Sequence, residues 1–214
     1  MPVVMLSWVW GDYAEYLTRW ADAVRHMNPK PDRIIVNHGS EITPRLKHFN
    51  DLHIEWREDN SRHQPTMLSS QLADIHDAWV FQVAIDDYTL PDALTALDGI
   101  PDDVDVVITS RGYVGTTAWQ ECSLDSINSF EFRFNPASFW TARIWHAMGG
   151  RWPDIYWNDH AFLVKAYASG AKFVERKQIT TMFNADNPLA HSRQVPEWAD
   201  QQLRDWRRQH GLPN

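Results

Sequence analysis

Apolar and polar positions along the chain alternate between two periods. Val3-Val4-Met5-Leu6-Ser7-Trp8 is a short apolar run rich in β-formers, as expected of a strand buried on both faces. After Gly11-Asp12, the residues Tyr13, Tyr16, Leu17, Trp20, Val24 and Met27 recur at helical spacing, with Asp12 as N-cap and Pro29 and Pro31 as the stop. Ile34-Ile35-Val36 reads as a second strand that ends in the turn-rich Asn37-His38-Gly39-Ser40. Strand, helix and strand thus follow one another as in a βαβ unit. A third strand is expected around Leu52 to Trp56, then a helix from about Pro65 to Ala78 with Leu68, Leu72, Ile75 and Trp79 on its apolar face. A fourth strand, Val80 to Ile85, runs straight into Asp86-Asp87, and Pro91-Asp92-Ala93-Leu94 opens a short helix that Gly99 ends. Val104, Val106 and Ile108 mark a fifth strand.

Gly112 to Asn135 has no firm period and reads as irregular, apart from strand-like Phe130 to Phe134. Helices are then expected over Thr141 to Met148, closed by Gly149-Gly150, and over Ala161 to Ser169, capped by Gly170. Lys172 to Glu175 reads as a late strand. From Pro196, Trp198, Ala199, Leu203 and Trp206 share one face of an amphipathic helix, with Arg207 elsewhere, so the helix should dock on the body. Alternating strands and helices predict an α/β fold with a mainly parallel central sheet flanked by helices on both faces.

The 214 residues fit one large domain, expected here as a single unit over 1–214. A net charge of -8 argues against a protein held by phosphate backbones, so duplex nucleic acid is not an expected partner. No apolar run is long enough for a membrane helix. The lone Cys122 cannot form an internal disulfide, and Met1 to Trp10 has no basic segment before its apolar stretch. The cytoplasm is the expected compartment. Few lysines beside abundant arginine, alanine, aspartate and tryptophan point to a GC-rich bacterial or phage source, and hence to a host cytoplasm if phage-encoded.

Two places could carry chemistry. Asp86-Asp87 ends a buried strand, and ligands of open parallel sheets sit beyond the carboxyl ends of strands. Two hard carboxylates there suit Mg²⁺ or Mn²⁺, which in turn suits phosphate oxygens. The same dipeptide also fits a plain turn that caps the next helix. Asp159-His160 enters a helix after a loop rich in glycine and tryptophan. The helix dipole keeps such a carboxylate ionised, so Asp159 could accept a proton, although the local sequence alone favours an ordinary N-cap. His160 reads as a ligand or as a half-buried polar residue. Of 12 tryptophans, Trp20, Trp79, Trp198 and Trp206 are expected in packing, whereas Trp8, Trp10, Trp152 and Trp157 could border a pocket.

The order of these parts resembles a GT-A fold nucleotide-sugar glycosyltransferase of family 2 type, in a short bacteriophage or actinobacterial form. Ile34-Ile35-Val36-Asn37-His38-Gly39-Ser40 looks like the family's strand ending in Val-Asp-Asp-Gly-Ser. Ala84 to Leu94 is similar to its Asp-x-Asp-Asp segment followed by Pro-Asp-Ala-Leu. Phe139 to Gly150 is similar to the segment beside the acceptor site, and Asn158-Asp159 stands at the Glu-Asp position. The resemblance covers roughly residues 3 to 183. It implies a nucleotide-sugar-binding half over 1–110, an acceptor half over 111–183 and a C-terminal segment with a docked helix over 184–214. It further implies a hexosyltransferase that acts with inversion and uses Mn²⁺ or Mg²⁺.

Carried over residue by residue, the resemblance makes Asp159 the catalytic base and Asp86, Asp87 and His191 the metal ligands. Ser7, Trp8, Asn37, His38, Arg62 and Asp86 would meet the nucleotide-diphosphate donor, with Asp59 and Asn60 nearby. Trp10, Trp152, Trp157 and His160 would form the acceptor and sugar rim. The acceptor itself, whether protein, glycan, lipid-linked precursor or modified base, is not legible. Three departures matter: Ala84 stands where the first metal-motif aspartate is usual, Asn37-His38 replace paired aspartates, and Asn158 replaces glutamate. These departures favour a competing reading, a GT-A-like binding protein without turnover. A nucleotidyltransferase is disfavoured, because Ser7 to Asp12 lacks a glycine-rich, basic loop for a triphosphate.

Overall fold

The computed structural model describes residues 1–61, 63–124, 138–188 and 195–212. The first strand, β1 (Val3–Val9), lies between β2 (Arg33–His38) and β4 (Trp79–Gln82), and β3 (Glu55–Glu58) follows β2 outward; all these pairs are parallel. The period of two sorts the side chains cleanly. Val3, Met5 and Val9 face one core with Ile34, Val36 and Phe81, whereas Val4 and Leu6 face the other with Ile35 and Val80. Helix α1 (Leu17–His26) covers the first core with Leu17, Trp20, Ala21 and Val24. The second is covered by α2 (Gln64–Leu72), α3 (Ala142–Ala147) and α4 (Asn158–Ala168), through Met67, Leu68, Ile144, Phe162 and Leu163 among others. This is the expected α/β sheet with helices on both faces.

Beyond β4 the sheet changes direction. Strand β8 (Phe139–Thr141) inserts antiparallel between β4 and β6 (Val106–Tyr113). Then β9 (Phe173–Phe183) runs parallel to β6, and the short β5 (Tyr88–Thr89) closes the edge antiparallel to β9. Two-residue β7 (Trp119–Gln120) hangs on β6. The four parallel ladders are the long ones, so the sheet remains mainly parallel. Helix α5 (Ala199–Gln209) completes the described chain. Among the described residues no helix is long and apolar enough to cross a membrane.

Several boundaries differ from expectation for identifiable reasons. The late strand reaches Phe183, far beyond Glu175, because its polar residues have work in the sheet edge: Arg176 donates to Asp98 O and Gln178 to Asp92 O. The register slips around Ser110, with Thr109 opposite Arg176 and Ser110 opposite Ile179. The segment Ser40–Leu52, which carried no periodic signal, forms 3-10 turns that bury Ile42 and Phe49. Irregular 112–124 instead carries the end of β6 and β7, while Phe130 to Phe134 lies outside the described residues. On α5 the buried stripe is Ala199, Leu203 and Arg207. Arg207, expected outward, is fully buried, whereas Trp198, expected inward, is 56% exposed.

Candidate active site

The sheet's carboxyl edge gathers the predicted residues in rows. Parallel register sets Trp8 beside Asn37 and Val9 beside His38, and then Asn37 beside Arg57. From the next strand, the chain turns after Ile85, with Asp87 N donating to Ala84 O at 3.2 Å, and enters β5. This turn leaves Asp86 buried and Asp87 half-buried.

The carboxylates are braced from distant segments. Asn187, itself buried, donates from Nδ2 to Asp86 Oδ2 at 2.6 Å and accepts from the Tyr16 hydroxyl at 3.0 Å. The backbone N–H of Asn184 donates to Asp87 Oδ1 at 2.9 Å. Arg19, whose guanidinium lies 5.4 Å from the Tyr16 ring and 5.0 Å from the Tyr88 ring, donates to Asp86 O at 2.5 Å. Burial, followed by the charge of Asp86, pushes the Asp87 carboxyl up to about 7; the Asn184 N–H, Arg111 and Arg19 oppose the rise. Burial and then the Asp86 charge push the Tyr13 hydroxyl up to about 12.

The second predicted carboxylate sits in the first turn of α4. Asp159 Oδ1 accepts the N–H of His160 at 2.8 Å. Burial raises its pKa, and the same N–H and the charge of Arg111 hold it back. Arg111 therefore acts on both Asp87 and Asp159. It projects from β6, donates from Nε to Gln120 Oε1 at 2.9 Å and lies over the Phe183 ring at 4.9 Å. Nothing in the local sequence marks Arg111, Arg19, Tyr16, Asn184 or Asn187; only their convergence in the fold does. Asn158, at the position of the missing glutamate, is structural here, since its Oδ1 accepts Trp152 Nε1 at 2.8 Å and its Nδ2 donates to Gln64 at 3.3 Å.

Several expected site residues are placed otherwise. The Ser7 hydroxyl, expected at the donor, is fully buried and donates to Val83 O at 2.7 Å, so it ties β1 to the segment after β4. His38 is buried, with Nδ1 2.9 Å from Gly39 O and its ring edge-on to Trp56. Trp152 is no rim residue: it is 5% exposed and stacks on Phe162 at 4.4 Å. Nor is His160, which is buried, its pKa pushed down to about 4 by burial and then by the Arg207 charge. Trp8, Trp10 and Trp157 keep partial exposure. Trp10 Nε1 donates to Asp59 O at 2.9 Å and Trp157 Nε1 to Asp200 at 3.0 Å. Asn37 is buried; its Nδ2 meets Asp59 Oδ2 at 3.4 Å, and its Oδ1 has no partner among the described residues. Arg62 and His191 lie outside the described residues.

A divalent cation fits the Asp86-Asp87 pair by its chemistry. Each carboxylate gives one oxygen to an N–H and keeps the other without a protein donor among the described residues. The Asp87 carboxyl is raised first by burial and then by the Asp86 charge, and a bound cation would offset both. Among the described residues no group of three or more His, Cys, Asp or Glu side chains could hold a metal. Mg²⁺-type sites often use only one or two carboxylates, with phosphates and water completing the shell.

No family model matches the chain, and no curated protein matches it by sequence. Solved structures share its fold. S. aureus TarS 1-349 in complex with UDP-GlcNAc superimposes with a TM-score of 0.71 at 15% identity, over 90% of this chain and 61% of that one. The mannosyltransferase PcManGT from Pyrobaculum calidifontis, in complex with GDP-Man and Mn²⁺, gives 0.64 at 13% identity, over 90% of this chain and 59% of that one. A 4-diphosphocytidyl-2C-methyl-D-erythritol synthase gives 0.53 at 7% identity. The chain thus has the mixed α/β fold of GT-A-type glycosyltransferases, and it spans about 60% of the length of the TarS 1-349 and PcManGT chains.

Proposed function

We propose that this protein is a glycosyltransferase that moves a sugar from a nucleotide-diphosphate donor to an acceptor hydroxyl, with inversion, as one unit over 1–214. The observation that carries the reading is that Asp87 and Asp159, from separate segments, share the charge of Arg111 on a fold common to nucleotide-sugar enzymes. Asp159 takes the proton of the acceptor hydroxyl as its oxygen attacks the anomeric carbon, and the bond to the diphosphate breaks with its electron pair. A pKa raised by burial makes Asp159 a stronger base than an exposed carboxylate, while backbone N–H donors and the Arg111 charge oppose that rise. Asp86 and Asp87 would hold Mn²⁺ or Mg²⁺, which when bound neutralises charge on the departing diphosphate. The buried Asn37 carbonyl oxygen and Asp59 offer acceptors to a base edge bearing N–H groups. Incubation with a panel of uridine, guanosine and thymidine diphosphate sugars, with and without Mn²⁺, tests the reading; absence of hydrolysis and transfer with every donor would sink it.

A second reading, a nucleotide-sugar-binding protein without turnover, draws support from Asn187, which already occupies one oxygen of Asp86. Calorimetry separates the two, since donor binding with no product would favour it.

A further inference from the structure

Beside α5 lies an open groove of about 470 Å³ lined by Trp198, Trp206, Gln201, Gln202, Asp154 and Asp205. Trp198 is 56% exposed, yet its ring is steadied edge-on by Tyr156 at 5.9 Å. Trp206 stacks one way on the His210 ring at 4.4 Å and also lines the groove. Gln202 Oε1 accepts the N–H of Tyr156 at 2.9 Å, which fixes the amide, and its Nε2 has no partner among the described residues. Gln201 and Arg208 both donate to Asp205 Oδ1, and His63 meets Asp154 at 3.0 Å.

Indole faces match the C–H face of a pyranose, and fixed amides and carboxylates match its hydroxyls. The rest of the lining narrows the ligand further. No lysine, arginine or histidine is among the described residues lining the groove, and the nearby Arg208 and His63 are already engaged by Asp205 and Asp154, so phosphates and uronates would meet two carboxylates with no cation to spare for them. An apolar peptide would strand the same amides and carboxylates without water. We infer that this groove binds a neutral saccharide. Its wall at Asp154 and Ile155 runs within a few residues into Asn158-Asp159 at the start of α4, so the bound sugar is held beside the segment that carries the proposed base. Its role as acceptor rests on the transferase reading; the binding does not.

The test uses the full chain without donor or metal. Maltohexaose, cellohexaose, mannohexaose and N-acetylchitohexaose are titrated by calorimetry and tryptophan emission, with oligogalacturonate as the anionic control. At least one neutral oligomer is expected to bind in the millimolar range or tighter, and Trp198→Ala or Trp206→Ala to weaken it about tenfold or more. Gln202→Ala should weaken it severalfold, whereas Asp86→Asn should leave it unchanged. Trp198 is exposed, so its variant should melt like the parent, which separates lost contact from lost fold. Binding of none of the four oligomers, binding that survives both tryptophan changes, or equal binding of oligogalacturonate would overturn the inference. In a separate assay with donor and Mn²⁺, a neutral oligomer that binds but accepts no sugar would support the groove and count against its acceptor role alone.

Discussion

Asn187 Nδ2 stands 2.6 Å from Asp86 Oδ2, a contact made across 101 residues of chain. It joins the segment after β9 to the turn after β4, and Tyr16 bonds to the same amide from the other side. Asn187→Ala would leave a buried carboxylate and a tyrosine hydroxyl without that partner. A loss of about 1–3 kcal/mol is expected in urea unfolding. Asn187→Asp would add a third carboxylate; it should lower stability without cation and recover it on addition of Mn²⁺.

If Asp159 is the base, Asp159→Asn should lower kcat by roughly 10²–10⁴ while donor binding persists. Retained turnover with a well-folded variant would remove Asp159 from the mechanism.

Arg111 depresses both carboxyls that burial raises. Arg111→Met should therefore move the acid limb of the kcat/KM profile to higher pH. An unshifted profile with lowered stability would reduce Arg111 to packing over Phe183.

Asp87 titrates at about 7 in the fold against an ordinary 3.8. The folded state then keeps a proton that the unfolded chain has released, so between these values stability falls as pH rises, and the cost is complete above about 7. Mn²⁺ competes with that proton, so its affinity should climb from about pH 6 to about pH 8. Asp87→Asn should flatten both curves, as read by melting temperature and calorimetry.

His160 has the opposite sign. Its folded pKa of about 4 lies below the ordinary 6.5, so the unfolded chain binds a proton first and stability is lost as pH falls through that window. His160→Gln should soften the acid loss in pH-dependent denaturation. Arg207, buried against the same region, should make any charged form of His160 costlier still.

The alternation of strands and helices was legible because apolar residues report which face is covered. Met5 and Leu6 point to opposite cores, as a strand buried on both sides requires. The extent of β9 was hidden, since Glu175 to Gln178 look like loop residues until Gln178 is seen to bond across to Asp92. Asp86-Asp87 and Asp159 could be picked out because carboxylates at element ends have local signatures. Arg111, Arg19 and Asn187 could not, because their meaning lies in contacts between distant segments. The tryptophans show the limit of helical periodicity. On α5 a stripe running through Ala199, Leu203 and Arg207 turns inward, rotated from the one that hydrophobicity suggests, and so Trp198 faces outward. Trp152, in a loop with no period to read, fills the core.

Strand β8 is the seam of the sheet: among the described strands, β4 and β6 are joined through its three residues, Phe139–Thr141. During synthesis, β4 therefore waits with an open hydrogen-bonding edge until the ribosome has delivered Thr141. A nascent chain or an engineered fragment that ends earlier would offer that apolar edge to its neighbours, and self-association would be its expected fate. The segment up to β4 is thus not a portable module, and any chimera built from this scaffold should carry its joint downstream of Thr141.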